Sequence, residues 1–236
     1  MGRHSHRSSV LYLICILAIA CMLSNAYATN SETRSIKTFD SIKVSGPVIL
    51  HLSEGSSDSV KISVEDDDPD KIITEVEGKN LEIKPKTSSI IESGVKFDVY
   101  VTYETLRGLR SGNKAEVQGE SVIKGDKLDV EVLNGSTVHI QVDVNTLSCK
   151  VTGTGEFTVS GNTVDQKSEV STKGVLHAFD LDCENAYVKL GTGGIAEIYA
   201  TELIEGSVKT ASKLTFKGDT KKQRVEKSTG GRIKEL

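Results

Sequence analysis

The chain is dominated by a repeat with a period of about 19 residues, the size of a solenoid coil, that fills its C-terminal half. Each copy has a small polar turn followed by apolar residues at alternate positions. Equivalent points of the turns are Gly112, Gly135, Gly153, Lys173, Gly193, Ala211 and Gly230. A near-constant step between such points is typical of a solenoid, in which every repeat forms one coil.

The apolar residues of the repeat lie two positions apart, which indicates β-strands. Val138, Ile140 and Val142 alternate with His139 and Gln141, and paired helices would need a longer period of roughly 33 to 47 residues. Parallel strands stacked about 4.8 Å apart would bury the apolar faces and pair the backbone of successive coils. The sequence therefore predicts an all-β fold, a parallel β-helix or solenoid. Its expected core includes Val138, Ile140, Val151, Val159, Val188, Ile198 and Phe216.

The beginning of the chain has the composition of an export signal. Arg3 and Arg7 precede an uninterrupted apolar run from Val10 to Leu23, and a small-x-small sequence ends at Ala28. This order predicts a secretory signal peptide that is cleaved before Thr29. The run is shorter than the roughly 18 to 20 residues that span a bilayer, so we expect no integral membrane segment after processing.

The compartment beyond export is left open between periplasm, cell surface and secretion. A lipoprotein acylated at Cys21 is an alternative, but Cys21 lies inside the apolar run and no polar linker follows it. Without Arg3 and Arg7, the mature chain carries 27 Lys and Arg against 33 Asp and Glu, a net charge of −6. No basic stripe follows either strand face, which argues against a nucleic-acid partner.

The mature chain retains two cysteines, Cys149 and Cys183. They lie at different phases of the repeat, so we expect two small buried thiols, although export makes a disulfide chemically possible.

The organisation of the chain is predicted as a signal peptide (1–28), a less regular β-rich flank or cap (29–106) and the repeat-built β-helix (107–236). No proline- or serine-rich linker separates the last two parts, so we expect one continuous unit. A solenoid needs caps, because its terminal coils otherwise expose strand edges. Only Asp70–Glu77, which follows Pro69, has helix potential.

The residues between the signal and the repeats resemble a known family. Its pattern is an aromatic residue, an apolar-x-Val strand, a small residue with glycine, further short strands, an acidic loop and repeated Ser-Gly-Ala-Ser-like turns. This chain has, in that order, Phe39, Ile42, Val44, Gly46, Val60, Ile62, Val64, Asp66 to Asp68, Leu81, Ile83, Val99 and Val101. The chain is therefore similar, over about residues 35 to 236, to the exported bacterial proteins described as "putative auto-transporter adhesin, head GIN domain".

The turns at Thr172 and Thr210 depart from that family's turn pattern. The resemblance implies a β-helical exported domain with an adhesive or surface-binding role. It supplies no catalytic residues.

A run of acidic residues is the sharpest charge cluster in the sequence. Asp66, Asp67, Asp68 and Asp70 surround Pro69, and calcium prefers several carboxylate oxygens in one loop. The run lacks the spacing of an EF-hand, and acids are also favoured at the first turn of a helix, so we expect a solvated turn and helix start here and not a calcium site.

The histidines of the repeats are dispersed. His139 and His177 fall near the same phase two coils apart, about 10 Å, which is too far to share a metal ion. We expect both to face outward and to be solvated. The sequence therefore predicts no metal and no cofactor.

Binding by the outer face is the predicted function. The mature chain has no Trp, and Tyr187 and Tyr199 occupy polar phases, which makes them the candidate binding residues. Outward acids such as Asp129, Glu131 and Asp143 are mixed with other polar residues, and short connections leave no wall for an active-site cleft. We therefore expect a non-enzymatic, adhesin-like scaffold for an unknown cell-surface, glycan or envelope ligand. A structural or polysaccharide-interacting envelope protein is the alternative, followed by a glycan-active lyase or hydrolase.

Overall fold

A computed structural model describes residues 29–65, 67–87 and 94–236 of the chain. The predicted signal peptide with Cys21 and Ala28, and Asp66 of the acidic run, lie outside this part. The described residues form 17 β-strands and one 3-10 turn at Pro69–Lys71. The strands are β1 (Thr29–Arg34), β2 (Ser41–Ser45), β3 (Val48–Glu54), β4 (Ser59–Glu65), β5 (Ile72–Glu77), β6 (Asn80–Pro85), β7 (Phe97–Tyr103), β8 (Gly108–Gly112), β9 (Glu116–Leu133), β10 (Thr137–Thr152), β11 (Glu156–Val170), β12 (Val175–Leu190), β13 (Ile195–Tyr199), β14 (Leu203–Val208), β15 (Lys213–Lys217), β16 (Lys222–Lys227) and β17 (Arg232–Glu235).

From residue 108 to residue 235 the chain forms a β-solenoid of about seven turns, with coils of about 19 residues. Each long strand bends at a corner. In β10, Val144 and Leu147 are both buried although an odd number of positions separates them, so the alternation shifts at Asn145 and Thr146. The segment 137–144 and its equivalents form what we call the first face, and the segment 146–151 and its equivalents form the second face. The prediction of a parallel β-helix is confirmed.

After β12 the two faces are built by separate strands. β13, β15 and β17 continue the first face, and β14 and β16 continue the second face, all in parallel pairing. Every coil therefore contributes one strand segment to each face.

The turns that close the coils are stacked on one another. Each has two successive residues with left-handed φ values, the second of which is Lys114, Gly135, Thr154, Lys173, Gly193, Ala211 or Gly230. These positions recur more evenly than the points chosen from the sequence. The choice of Gly112 and Gly153 as equivalent points was wrong, since Lys114 and Thr154 hold those places. The backbone conformation repeats there, whereas the glycines do not.

Backbone hydrogen bonds hold the stack of turns together. The N–H of Thr154 donates to the carbonyl of Thr172 at 3.1 Å, and the N–H of Gly193 donates to the carbonyl of Thr210 at 2.9 Å. The turns at Thr172 and Thr210, which depart from the family pattern in sequence, have the same conformation as the others.

The part of the chain before Gly108 extends the stack and then covers its end. β2 pairs in parallel with β6 and β8 on the second face, and β3 pairs in parallel with β7 and β9 on the first face. β1, β4 and β5 add antiparallel strands beyond them. Spatial order therefore differs from chain order, since β2 lies between β6 and β8.

The helix candidate Asp70–Glu77 is helical only at its beginning, behind Pro69. Only Pro69–Lys71 forms a 3-10 turn, which Asp68 caps by accepting a 2.9 Å hydrogen bond from the N–H of Asp70. Ile72–Glu77 is a strand that pairs antiparallel with β6. Ile72 is buried, whereas Glu75 and Glu77 lie on the opposite, wetter side. The alternation of buried and exposed side chains along this segment is that of a β-strand.

The core runs without a break through the coils and the covering strands. The predicted core residues are all buried, namely Val138, Ile140, Val151, Val159, Val188, Ile198 and Phe216. Cys149 and Cys183 are buried free thiols at different phases of the coil, as expected, and they form no disulfide.

Candidate binding faces of the solenoid

One outward row of the first face contains the three histidines of the described residues. His51 pairs in register with Gln118, Gln118 with His139, His139 with Thr158, and Thr158 with His177. The expected match in phase between His139 and His177 is confirmed. The sequence missed His51, because its strand precedes the repeats and joins the row only through the pairing of β3 with β9.

His51 lies among charged and aromatic groups. Its ring stacks on that of Tyr100, with centroids 4.5 Å apart. Its Nε2 is 2.9 Å from Asp98 Oδ1, and its Nδ1 is 3.2 Å from Glu120 Oε1. Each ring nitrogen of His51 therefore lies close to a carboxylate oxygen.

The other two histidines have different surroundings. His177 Nδ1 is 2.7 Å from Glu197 Oε2, and its Nε2 is 3.6 Å from Glu156 Oε1. His139 is exposed. His177 faces outward, as expected, with 39% of its side chain exposed, and acids of the two neighbouring coils lie on either side of it.

The second face carries a shallow groove of about 780 Å³. Two outward rows border it, one with Asp129, Ser148, Lys167, Tyr187 and Glu205, the other with Glu131, Lys150, Glu169 and Lys189. Between these rows lie Val130, Cys149, Ser168, Val188 and Gly206 of the inward-facing row. The groove crosses strand segments of five successive coils and therefore follows the solenoid axis.

The acids that border this groove each have a cation of their own. Asp129 contacts Lys127 at 2.8 Å, and Glu131 contacts Arg110 at 2.9 Å. The pairs formed by Glu169 and Glu205 are longer: Glu169 lies 3.9 Å from Lys150, and Glu205 lies 3.7 Å from Arg224.

Two cations on the same groove remain without an acid. Within the part of the chain that the structure describes, Lys167 and Lys189 make no ion pair or side-chain hydrogen bond. Both are exposed, and Tyr187, which is 36% exposed, lies next to each of them. Lys167 is its register partner on the preceding coil, and Lys189 is the next outward-facing residue along the same strand. We call Lys167, Tyr187 and Lys189 the lysine–tyrosine patch.

Tyr199 lies elsewhere, near the corner of the coil. It borders a hollow of about 390 Å³ together with Asp143, Asp182 and Glu184. The two tyrosines that the sequence suggested as binding residues are thus separated, one among free lysines and the other among carboxylates.

The acidic run lies beside β1 at the covered end of the solenoid. Asp67 contacts Lys71, and this hydrogen bond holds the pKa of Asp67 below its ordinary value. Asp68 caps the 3-10 turn, and Asp70 contacts Arg34 at 3.4 Å. Each of these described carboxylates is therefore engaged by the protein itself.

Burial suppresses the chemistry of both thiols. It raises the pKa of Cys149 to about 11 and that of Cys183 to about 12. Since the thiolate is the nucleophile and the metal ligand, neither sulfur is activated at neutral pH.

The fold and its faces define a class of protein, a β-solenoid with rigid outer surfaces. Residues 38–234 match the family described as "Putative auto-transporter adhesin, head GIN domain". The chain belongs to this family. No curated protein matches the chain. None of the described helices is long and apolar enough to cross a membrane.

Solved structures share the fold at low sequence identity. A putative adhesin from Bacteroides fragilis NCTC 9343 has a TM-score of 0.80 and 19% identity, with 89% of this chain and 97% of that chain covered. A putative adhesin from Parabacteroides merdae ATCC 43184 has a TM-score of 0.70 and 20% identity, with 90% and 97% covered. A putative lipid binding protein from Parabacteroides distasonis ATCC 8503 has a TM-score of 0.70 and 17% identity, with 90% and 98% covered.

Proposed function

We propose that the chain is an exported, non-enzymatic β-helical scaffold that binds a ligand of the cell surface or envelope through its outer faces. Family membership implies export, and two structures of the same fold are described as putative adhesins. Periplasm, cell surface and external medium are all compatible with the proposal. Export by signal cleavage predicts an intact mass that begins at Thr29, and a mass that includes a diacylated Cys21 would contradict it.

The groove on the second face is the observation that carries this proposal. It follows the axis across five coils, and its bordering side chains stand on strands that are hydrogen-bonded on both sides. Solenoids characteristically use such extended surfaces for binding. Because the strands hold the backbone of these residues in place, little backbone freedom would be lost when a ligand binds.

The chemistry of the same groove supports a role without catalysis. General acid–base catalysis needs a titratable group whose proton affinity suits the reaction, in a site that excludes water. Here the bordering acids are paired with cations, the groove is shallow, and the thiol of Cys149 is buried. A structural or polysaccharide-interacting role in the envelope is the second candidate, which the continuous charged surface favours.

The test is binding of the purified protein, labelled with a fluorophore, to whole cells and to isolated envelope polysaccharides. We expect saturable binding that excess unlabelled protein displaces. A matched variant, Lys150→Glu with Glu169→Lys, exchanges one ion pair on the groove while leaving the net charge unchanged. Binding that this exchange leaves intact, but that a charge reversal of the groove abolishes, would support a surface role. Absence of saturable binding to every surface would contradict the proposal.

A further inference from the structure

We propose that the lysine–tyrosine patch is a binding site for an acidic polysaccharide, with the tyrosine ring against a sugar face and the two ammonium groups against carboxylate or sulfate groups. The inference rests on the proposed binding function and names its ligand class. It concerns three residues, Lys167, Tyr187 and Lys189, that adjoin one another only in the folded coil.

The ion pairs along the groove leave two lysines available to an anionic ligand. The acids that border the groove are matched by Lys127, Arg110, Lys150 and Arg224, which leaves Lys167 and Lys189 as the unmatched charges among the described residues of the groove. The lining of the groove contains three lysines and four acids, and among these lysines Lys167 and Lys189 are the two that no acid engages. An anionic ligand can meet these two lysines without displacing an existing ion pair.

The spacing of the strands places both lysines close to Tyr187. Neighbouring strands are about 4.8 Å apart, and successive outward residues on one strand are about 7 Å apart. Lys167 therefore neighbours Tyr187 across the strands, and Lys189 neighbours it along its own strand. Tyrosine offers a large amphipathic surface at a low entropy cost, which suits the mixed apolar and polar faces of a sugar ring.

The strand pairing favours a polysaccharide over a peptide. An extended peptide usually adds to the free edge of a sheet, where its backbone can form hydrogen bonds. At Tyr187 both edges are occupied, because Lys167 of β11 and Glu205 of β14 are its register partners. A ligand at this place must therefore be recognised by side chains alone. Sugar rings and their anionic groups can be bound in this way.

Tyr199 provides an internal contrast. It is half-buried beside Asp143, Asp182 and Glu184, which would repel an anionic ligand. The sites of Tyr187 and Tyr199 both contain an aromatic ring, so the presence of the two lysines is what distinguishes the site of Tyr187. Tyr199→Ala is accordingly a matched control for Tyr187→Ala.

The experiment measures affinity by isothermal titration calorimetry with polygalacturonate, with neutral dextran and with poly-glutamate. We expect binding to polygalacturonate that weakens at high salt. The double variant Lys167→Gln and Lys189→Gln should lose about tenfold or more in affinity, because two charge-assisted contacts are removed. Tyr187→Ala should lose a similar factor, and Tyr199→Ala should change affinity by less than about twofold. Circular dichroism and the denaturation midpoint of each variant control for folding.

The alternative results separate this inference from the proposed function. Equal affinities for dextran and polygalacturonate would overturn the site for an acidic polysaccharide, and so would an equal loss of affinity in Tyr187→Ala and Tyr199→Ala. Neither result would contradict a surface-binding role. Binding of poly-glutamate as tight as that of polygalacturonate would overturn the choice of a polysaccharide. Binding to cells without any binding to acidic polysaccharides would overturn the inference alone, and no binding to either would overturn both.

Discussion

Gly206 and Val188 are register partners on neighbouring coils, and a β-carbon at position 206 would lie 1.7 Å from the carbonyl oxygen of Val188. Gly206 also has a φ of +152°, a conformation that residues with side chains rarely adopt. The absence of a side chain at this position therefore lets β14 stack on β12 beneath the groove. Glycine is required at position 206 because the backbone of the neighbouring coil lies so close, and not because the residue belongs to a turn.

We expect Gly206→Ala to lower the free energy of unfolding by about 2 kcal/mol or more, because backbone atoms must move to admit the methyl group. The measurement is a denaturant titration. Gly191→Ala is the matched control, since nothing lies within 4 Å of a β-carbon there and its φ is ordinary. A loss at position 206 as small as the loss at position 191 would contradict the close stacking.

The assigned core predicts a contrast between two aspartate substitutions. Ile198 is fully buried, whereas Gln141 is exposed on the first face. Ile198→Asp should lower stability by several kcal/mol, roughly 4 or more, because an unpaired charge or a protonated acid would lie in the core. Gln141→Asp should cost less than about 1 kcal/mol. Similar denaturation midpoints for the two variants would refute the register of the coils.

The buried thiols predict slow labelling and a defined pH dependence. Folding raises the pKa of Cys149 to about 11 and that of Cys183 to about 12, from an ordinary value of 9.0. A thiol with a raised pKa stabilises the folded state fully below its ordinary pKa, and that contribution is lost as the pH rises toward the folded value. Stability should therefore decline between about pH 9 and pH 12, and less steeply in a variant with both cysteines changed to alanine.

Reaction with a disulfide reagent at pH 8 provides the second readout on the cysteines. The native protein should react slowly and the unfolded protein at once, because only the unfolded chain exposes thiolate. Rapid labelling of the folded protein would place at least one of the two thiols outside the core.

The stacked turns predict a stabilising substitution. Thr210 has a φ of +52°, which is costly for a β-branched residue, and Asn134 holds the equivalent position of an earlier turn. Thr210→Asn should raise the free energy of unfolding by about 0.5 to 1 kcal/mol, because asparagine tolerates this conformation. Thr137→Asn, in a strand, should have the opposite sign. A loss of stability at position 210 would show that threonine makes a contact there that outweighs the strain.

The fold could be predicted from the repeat because its period and its alternation are both local properties of the sequence. Val138 and Ile140 reveal an inward face on their own, and every coil repeats the signal. The signal at Pro69 predicts the short capped turn that the structure contains, but it does not show that a strand follows, which the alternation of Ile72, Thr74 and Val76 explains. The position of β2 between β6 and β8 depends on long-range pairing that no local pattern encodes.

The candidate site was only partly accessible to sequence reasoning. Tyr187 could be assigned to an outward phase, but its neighbourhood with Lys167 depends on the exact register of β11 against β12. A shift of one residue would bring Gln166 or Ser168, both buried, to that place. Which acids are already paired is likewise a property of side-chain contacts between coils, and this pairing is what leaves Lys167 and Lys189 free to bind.

The central claim is that this protein binds a surface ligand without transforming it. The most direct measurement is incubation of the purified protein with an acidic polysaccharide, followed by a binding isotherm and by the chain length of the recovered polymer. The account predicts saturable binding and an unchanged chain length. Release of reducing ends or unsaturated sugars, abolished by Glu169→Gln or by another change to an acid that borders the groove, would contradict it.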